Sequence, residues 1–143
     1  MITSDRQLQI ALEKFRILEE SIKKQQKANL PKILLQASKG QTQELMNELK
    51  AEIEEYQHLR NDKLKEILIH SLEDLMNAPI RYRLAKKMTI EQFAREVSIH
   101  SRQVARYEAE GYRNVTIDTL LKILNKINAH VSGEVKISQS KAS

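Results

Sequence analysis

Cysteine is absent from this chain of 143 residues, and glycine and proline are scarce, with three and two residues. Without cysteine there is neither a disulfide framework nor a thiolate metal site, and a reducing cytoplasm is the simplest location. The small number of turn-forming residues and an aromatic content of 4% argue against a sandwich or a barrel. No apolar run approaches the roughly 18 residues of a membrane span, and the polar start MITSDRQLQ lacks the pattern of a signal peptide. These absences favour a mainly helical cytoplasmic protein that has no membrane partner.

Positive charge is concentrated in the second half of the chain. The net charge is +5, but residues 1–79 carry 12 Lys and Arg against 13 Asp and Glu. Residues 80–113 carry 8 against 4, and residues 114–143 carry 4 against 2. A polyanionic partner should therefore contact the region that begins near Ile80.

Two long helices are predicted in the first half of the chain. Apolar residues recur at steps of three or four between Asp5 and Lys27, and again after Gly40. The first stripe is Leu8, Leu12, Phe15, Leu18 and Ile22, and the second is Leu45, Leu49, Ile53, Tyr56 and Leu59. The two stripes can face each other in an antiparallel helical hairpin. Residues 28–40, with Pro31 and Gly40, predict a loop or a short helix.

The connection to the second half is predicted to contain one break and one new helix. Asn61-Asp62 interrupts the second helix, which continues from Leu64 to His70. Ser71-Leu72-Glu73-Asp74 matches a capping pattern and begins another helix.

Four short helices and one strand are predicted from Asn77 onward. The first helix spans Ile80 to Lys86 after Pro79, and the second starts at Thr89, which forms a capping box with Gln92. The other features are a tight turn at Ser98-Ile99, a helix over Ser101 to Ala109, a loop from Gly111 to Val115, and a last helix capped by Thr116 that carries Leu120, Leu121, Leu124 and Ile127. Val131, Val135 and Ile137 predict a strand interrupted by Gly133, and residues 138–143 a disordered tail.

The stretch from Thr89 to Gly111 has the spacing of a helix-turn-helix. A small residue, Ala94, is followed four residues later by the turn residue Ser98 and six residues after that by the apolar Val104. On a helical projection Val104 and Tyr107 share one side, and Arg102 and Arg106 lie on the other. Such a cationic ridge, flanked by alanines, has the width that a major groove accepts. The alternative is that the two arginines form an ordinary solvated face, with Arg106 paired to Glu110.

These residues resemble the XRE-type, phage-repressor-like helix-turn-helix regulators. The resemblance covers about Asn77 to Ala129 and rests on these residues: Thr89, Phe93-Ala94, Val104, Arg106-Tyr107-Glu108, Gly111, Arg113-Asn114, and Asp118 to Ile123. It implies a lambda-repressor-like bundle whose motif core is Phe93, Ala94, Val97, Val104 and Tyr107. It also implies that DNA bases face Ser101, Arg102 and Arg106, and that the DNA backbone faces Thr89, His100, Arg113 and Asn114.

The sequence departs from the family pattern at two positions. Ser98 stands where the family usually has glycine, and Ile90 stands where it usually has a phosphate-contacting glutamine. The helical N-terminal part also resembles, more loosely, the extension of some antitoxin-like members of this family.

Catalytic and metal-binding sites are not indicated. Glu54-His58 and Glu66-His70 have a ligand-like spacing, but solvated pairs are common on helices so rich in charge. The three glycines form no phosphate-binding loop. His100, just before the second motif helix, is interpreted as a helix cap or a phosphate neighbour. We therefore expect no enzyme activity and no cofactor.

Three functions remain open from the sequence. The first is a homodimeric, sequence-specific transcriptional regulator that acts as a repressor and binds double-stranded DNA at the bacterial nucleoid. The second is an antitoxin whose N-terminal helices hold a toxin, and the third is a helical scaffold that has lost DNA binding. The expected division is a helical hairpin that serves as an association or partner module at residues 1–75, a helix-turn-helix DNA-binding domain at residues 76–137, and a disordered tail at residues 138–143.

Overall fold

The computed structural model describes residues 1–27, 31–61 and 65–139, which form seven α-helices and no β-strand. The helices are α1 (Asp5–Lys27), α2 (Lys32–Asn61), α3 (Leu72–Met76), α4 (Ala78–Ala85), α5 (Ile90–Val97), α6 (Ser101–Ala109) and α7 (Ile117–Lys126). The mainly helical fold class predicted from the sequence is confirmed. Among the described residues, no helix has both the length and the apolar character that crossing a membrane requires.

Helices α1 and α2 form the predicted hairpin, here called the N-terminal hairpin. Helix α1 has the predicted bounds. Helix α2 begins earlier than predicted, at Lys32, and continues through Gly40. The carbonyl of Pro31 accepts the first helical hydrogen bond from Leu35, at 3.1 Å, so this proline starts the helix instead of a loop. A glycine inside a helix costs only about 1 kcal/mol relative to alanine, which a helix of 30 residues tolerates.

The connection between the hairpin and the later helices is irregular where it is described. Residues 65–70 contain no helix, so the predicted continuation of the second helix as far as His70 is wrong there. Asp62 and Leu64 lie outside the described residues. The predicted cap at Ser71 is confirmed, because its hydroxyl accepts a hydrogen bond from the backbone N–H of Asp74 at 3.1 Å.

Helices α4 to α7 form the C-terminal bundle. Its centre is fully buried and includes Leu84, Phe93, Val104, Tyr112 and Ile123. The last helix was predicted to bury Leu121, but that side chain is 53% exposed while Ile123 is 0% exposed. The buried residues follow the i, i+3, i+4, i+7 row from Leu120 to Ile127, and Leu121 lies outside that row.

The strand predicted around Val131, Val135 and Ile137 does not form. Residues 131–138 have no regular structure, and the side chains of Val135 and Ile137 are 90% and 85% exposed. A strand is stabilised by hydrogen bonds to a neighbouring strand, and the described residues offer none. Of the predicted tail, residues 140–143 lie outside the described residues.

The hairpin and the bundle share one continuous hydrophobic core. Ile2 and Tyr56 of the N-terminal part belong to the same cluster of buried residues as Ile80 and Leu84 of helix α4. An ion pair also joins the two parts, because the guanidinium of Arg81 donates to Glu55 at 3.0 Å. This contact fixes the position of the hairpin relative to the bundle. The division near residue 75 stays a prediction.

Candidate nucleic-acid interface

Helix α5 is positioned by a complete capping box at its start. The hydroxyl of Thr89 accepts from the backbone N–H of Gln92 at 3.1 Å, and the side chain of Gln92 accepts from the backbone N–H of Thr89 at 2.9 Å. The apolar face of the helix buries Phe93, Ala94 and Val97. Because these three positions fall on one side of a helical turn, α5 packs firmly and leaves its N-terminus at the surface.

The turn between α5 and α6 contains a serine in a left-handed conformation. Ser98 has φ 58° and ψ 42°, and the backbone N–H of Ile99 donates to the carbonyl of Ala94 at 3.0 Å. This bond is the 6→1 bond of a Schellman motif, which ends the helix and turns the chain sharply. The backbone therefore makes the expected tight turn although glycine is absent, at a conformational cost of about 1–2 kcal/mol.

Helix α6 begins at a histidine cap. The imidazole Nδ1 of His100 accepts from the backbone N–H of Arg102 at 3.2 Å. His100 is therefore a helix cap, which is one of the two interpretations drawn from the sequence.

The two arginines of α6 share one exposed face. Val104 and Tyr107 are buried, whereas Arg102 and Arg106 are exposed and lie about 40° apart around the helix axis. Alanines 105 and 109 beside them are also exposed. Ser101 is only half-exposed and lies about 100° from Arg102, nearer the side that faces the rest of the bundle.

Neither arginine of this face has an ion-pair partner within the described part of the chain. The expected alternative, a pair between Arg106 and Glu110, does not form, because Glu110 accepts a hydrogen bond from the amide of Asn114 at 3.0 Å. The guanidinium of Arg106 lies 5.9 Å from the ring centroid of Tyr107, within cation–π range. Two unpaired cations one helical turn apart are therefore available to an anionic partner.

The residues expected to face the DNA backbone lie at three separate places. Thr89 is exposed at the start of α5, His100 is exposed at the start of α6, and Arg113 and Asn114 are exposed in the loop after α6. The first two are helix N-termini, where backbone N–H groups and the helix dipole favour an anion. The side chain of Asn114 is already bonded to Glu110, whereas Arg113 has no ion pair among the described residues.

A buried ion pair that was not predicted from the sequence holds α6 against α4. The guanidinium of Arg83 donates to the two carboxylate oxygens of Glu108 at 2.7 and 2.8 Å. It also donates to the carbonyls of Met88 at 3.0 Å and Thr3 at 3.1 Å. The side chains of the pair are only 8% and 6% exposed. Since the two residues are 25 positions apart, no periodicity or spacing rule could have paired them.

The loop after α6 is anchored by a tyrosine that was not predicted to be buried. Gly111 and Tyr112 both have positive φ, and the ring of Tyr112 is 1% exposed. It packs against Tyr107 at 5.7 Å between ring centroids. Burial, with a smaller contribution from the charge of Glu108, raises the pKa of the Tyr112 hydroxyl above its ordinary value. This anchor places Arg113 at the surface beside the end of α6.

Catalytic or metal chemistry has no support among the described residues. They include no group of three His, Cys, Asp or Glu side chains that could hold a metal ion.

Comparison with known proteins identifies the C-terminal bundle. Residues 80–133 match a family model described as helix-turn-helix, and the matched segment covers α4 to α7. A search of curated proteins and a search of solved structures each gave no significant match to the chain.

Proposed function

We propose that residues 80–133, which match a helix-turn-helix family model, form an XRE-type domain, and that the chain is a sequence-specific transcriptional regulator that binds double-stranded DNA as a homodimer. The observation that carries this proposal is the pair of exposed arginines on the second helix of the motif, which have no ion pair within the described residues. The matched family is one of DNA-binding regulators and not of enzymes.

Helix α6 is the recognition helix in this proposal. A major groove about 12 Å wide admits one helix, and arginine donates two parallel hydrogen bonds to the O6 and N7 acceptors of guanine. Arg102 and Arg106 lie on the helix face opposite the core, so they reach the base edges when α6 enters the groove. The flanking alanines allow a close approach, and Ser101 contacts bases at the start of the same helix.

Most of the positive charge counted in residues 80–113 remains available to DNA. Of the eight Lys and Arg residues in 80–113, Arg81 and Arg83 are used in ion pairs inside the protein. The other six have no ion pair within the described residues, and they are Lys86, Lys87, Arg95, Arg102, Arg106 and Arg113. These cations would release counterions from phosphate and give salt-sensitive affinity for any sequence.

The backbone contacts fix how the recognition helix enters the groove. Thr89 and His100 present the N-termini of α5 and α6 to phosphates, and Arg113 and Asn114 reach a phosphate from the loop. A two-fold dimer would place two copies of α6 in successive major grooves about 34 Å apart. Occupying such a site excludes other proteins from it, which favours repression over activation.

Selection of DNA from a random pool tests the proposed function. The purified protein should enrich a two-fold symmetric site. Replacing Arg102 with alanine should then weaken specific binding by about 1–3 kcal/mol and relax the sequence preference at one position in each half-site. The matched control is Arg6→Ala, which removes an exposed arginine of the hairpin and should leave the preference unchanged.

Two results would contradict the proposal. If the Arg102→Ala variant kept the sequence preference of the wild type, Arg102 would not contact the bases. A wild-type protein that enriches no sequence even at low salt would instead favour the helical scaffold. The structure already weakens one argument for the scaffold, because Ser98 adopts the turn conformation that the motif requires.

A further inference from the structure

One flank of the N-terminal hairpin leaves apolar side chains half-exposed. Ile10 is 49% exposed, Ile17 is 52% exposed, and Leu45 on the neighbouring helix is 53% exposed. The first two are seven residues apart and therefore lie on one face of α1. Between the helices lies a groove of about 380 Å³, called here the hairpin groove, whose lining includes Lys14, Ile17, Leu45, Glu48 and Glu52.

The two edges of the hairpin groove carry opposite charge. The edge from α1 contributes Lys14, and the edge from α2 contributes Glu48 and Glu52. Within the described part of the chain, Lys14 and Glu48 form no ion pair. This is unlike Arg16 on the same hairpin, which pairs with Glu13 at 2.6 Å and Glu20 at 2.7 Å. Glu52 lies 3.7 Å from the N-terminal ammonium of Met1, so Lys14 and Glu48 are the charges of the groove that are available to another molecule.

This arrangement is self-complementary. A two-fold interface brings the same patch together on both subunits. When that patch is basic on one edge and acidic on the other, the basic edge of each copy lies against the acidic edge of its partner. When one hairpin is rotated onto another, α1 of each copy lies over α2 of the other. We propose that the hairpin groove is the contact surface between two copies of this chain, with Ile17 and Leu45 at its centre and Lys14 opposite Glu48 of the second copy. The inference rests on the homodimer of the proposed function and names its surface.

The size of the hairpin suits a dimer contact. Helix α1 has 23 residues, which correspond to a length of about 35 Å at about 1.5 Å per residue. Two helices side by side are roughly 20 Å wide, so one face of the hairpin offers roughly 700 Å². A typical stable interface uses about 800 Å² from each partner. The nearly neutral hairpin can thus hold two copies together while the basic bundle of each copy contacts DNA.

A charge-exchange experiment tests the proposal without DNA. Sedimentation equilibrium of the full chain should show that Lys14→Glu and Glu48→Lys each raise the dimer dissociation constant by about tenfold or more, because each change acts twice across a two-fold axis. The double variant Lys14→Glu/Glu48→Lys should return to within a few-fold of the wild type. The control is Lys23→Glu, an exposed lysine on another side of α1, which should have no such effect.

A second pair of variants tests the apolar centre. Ile17→Ser should also weaken the dimer, whereas Leu12→Ser, on the opposite flank of α1 and 38% exposed, should not. Circular dichroism should show helical content and melting like those of the wild type for both, since both side chains are already partly exposed. A dimer that all of these variants preserve would overturn the proposed surface. A wild-type protein that is monomeric would overturn both the surface and the homodimer.

The outcome for DNA binding is separate from these results. A dimer that responds to the exchange but selects no DNA sequence would keep the proposed surface and remove the proposed regulator. A protein that selects a specific DNA site, and whose dimer dissociation constant is unchanged by the charge exchange, would keep the proposed regulator and remove the proposed surface.

Discussion

Replacing Glu108 with leucine should destabilise the protein more than any change on its surface. The variant leaves the guanidinium of Arg83 buried without its counter-charge, since the two side chains are only 6% and 8% exposed. It also removes both bonds, of 2.7 and 2.8 Å, that tie α4 to α6. Removing one partner of a buried ion pair costs about 3–5 kcal/mol. Since a domain is stable by about 5–15 kcal/mol, about a fifth or more of the total stability would be lost.

A variant of Arg83 and the double variant measure how much of the lost stability comes from the interaction between Arg83 and Glu108. Arg83→Met alone should cost a similar amount, because it leaves the carboxylate of Glu108 buried and unpaired and frees the carbonyls of Thr3 and Met88. The double variant Arg83→Met/Glu108→Leu replaces the pair with apolar side chains of similar volume, and such replacements are often close to neutral. Its loss should therefore be smaller than either single loss.

Urea denaturation followed by circular dichroism gives the three free energies of unfolding, and their double-mutant cycle gives the coupling. We expect a coupling of about 3 kcal/mol or more. The control is Arg81→Met, which breaks ion pairs with Glu55 at 3.0 Å and Asp74 at 3.5 Å, whose side chains are 38% and 26% exposed. Because both partners are partly exposed, it should cost about 1–2 kcal/mol, less than either variant of the buried pair. Single losses that simply add in the double variant would show that Arg83 and Glu108 act independently, and the reasoning from burial would be refuted.

Three further predictions concern the loop after α6, the turn and alkaline pH. Arg113→Ala should weaken binding about equally on all DNA sequences and lower the slope of the logarithm of the binding constant against the logarithm of salt concentration by about one unit. DNA titration at several salt concentrations measures this slope, and an unchanged slope would show that Arg113 does not contact a phosphate. Ser98→Gly should raise the free energy of unfolding in urea by about 0.5–1 kcal/mol, because relief of the left-handed strain outweighs the added freedom of the unfolded chain; a loss of stability would contradict this. Burial, followed by the hydrogen bond to Glu96, raises the pKa of Tyr82 to about 12. The folded state then holds this proton more tightly than the unfolded state, so its contribution is complete below about pH 10 and is lost between about pH 10 and 12. Tyr82→Phe should flatten that part of the stability profile, and an unchanged profile would exclude Tyr82 as its source.

The helix-turn-helix could be predicted from the sequence because its determinants are local. The capping box of Thr89, the bounds of α6 and the burial of Val104 beneath exposed arginines depend on residues no more than four positions apart. The prediction failed where a local signal was weighed without its surroundings. The second helix was predicted to begin after Gly40, with a loop or a short helix before it, but Gly40 lies within α2. The strand around Val135 had the right alternation and no neighbouring strand among the described residues.

By itself, the sequence determined the helical class, most helix starts and the phase of α6, since caps and apolar periodicity act within one or two helical turns. Only the tertiary structure decided which distant groups meet. It joined Arg83 to Glu108 across 25 positions, buried Tyr112 under the loop, and merged the hairpin and the bundle into one core. It also left Lys14 and Ile17 exposed beside Glu48 and Leu45. Such contacts depend on how whole helices pack, and the chain specifies that packing through many weak interactions at once and not through any short pattern.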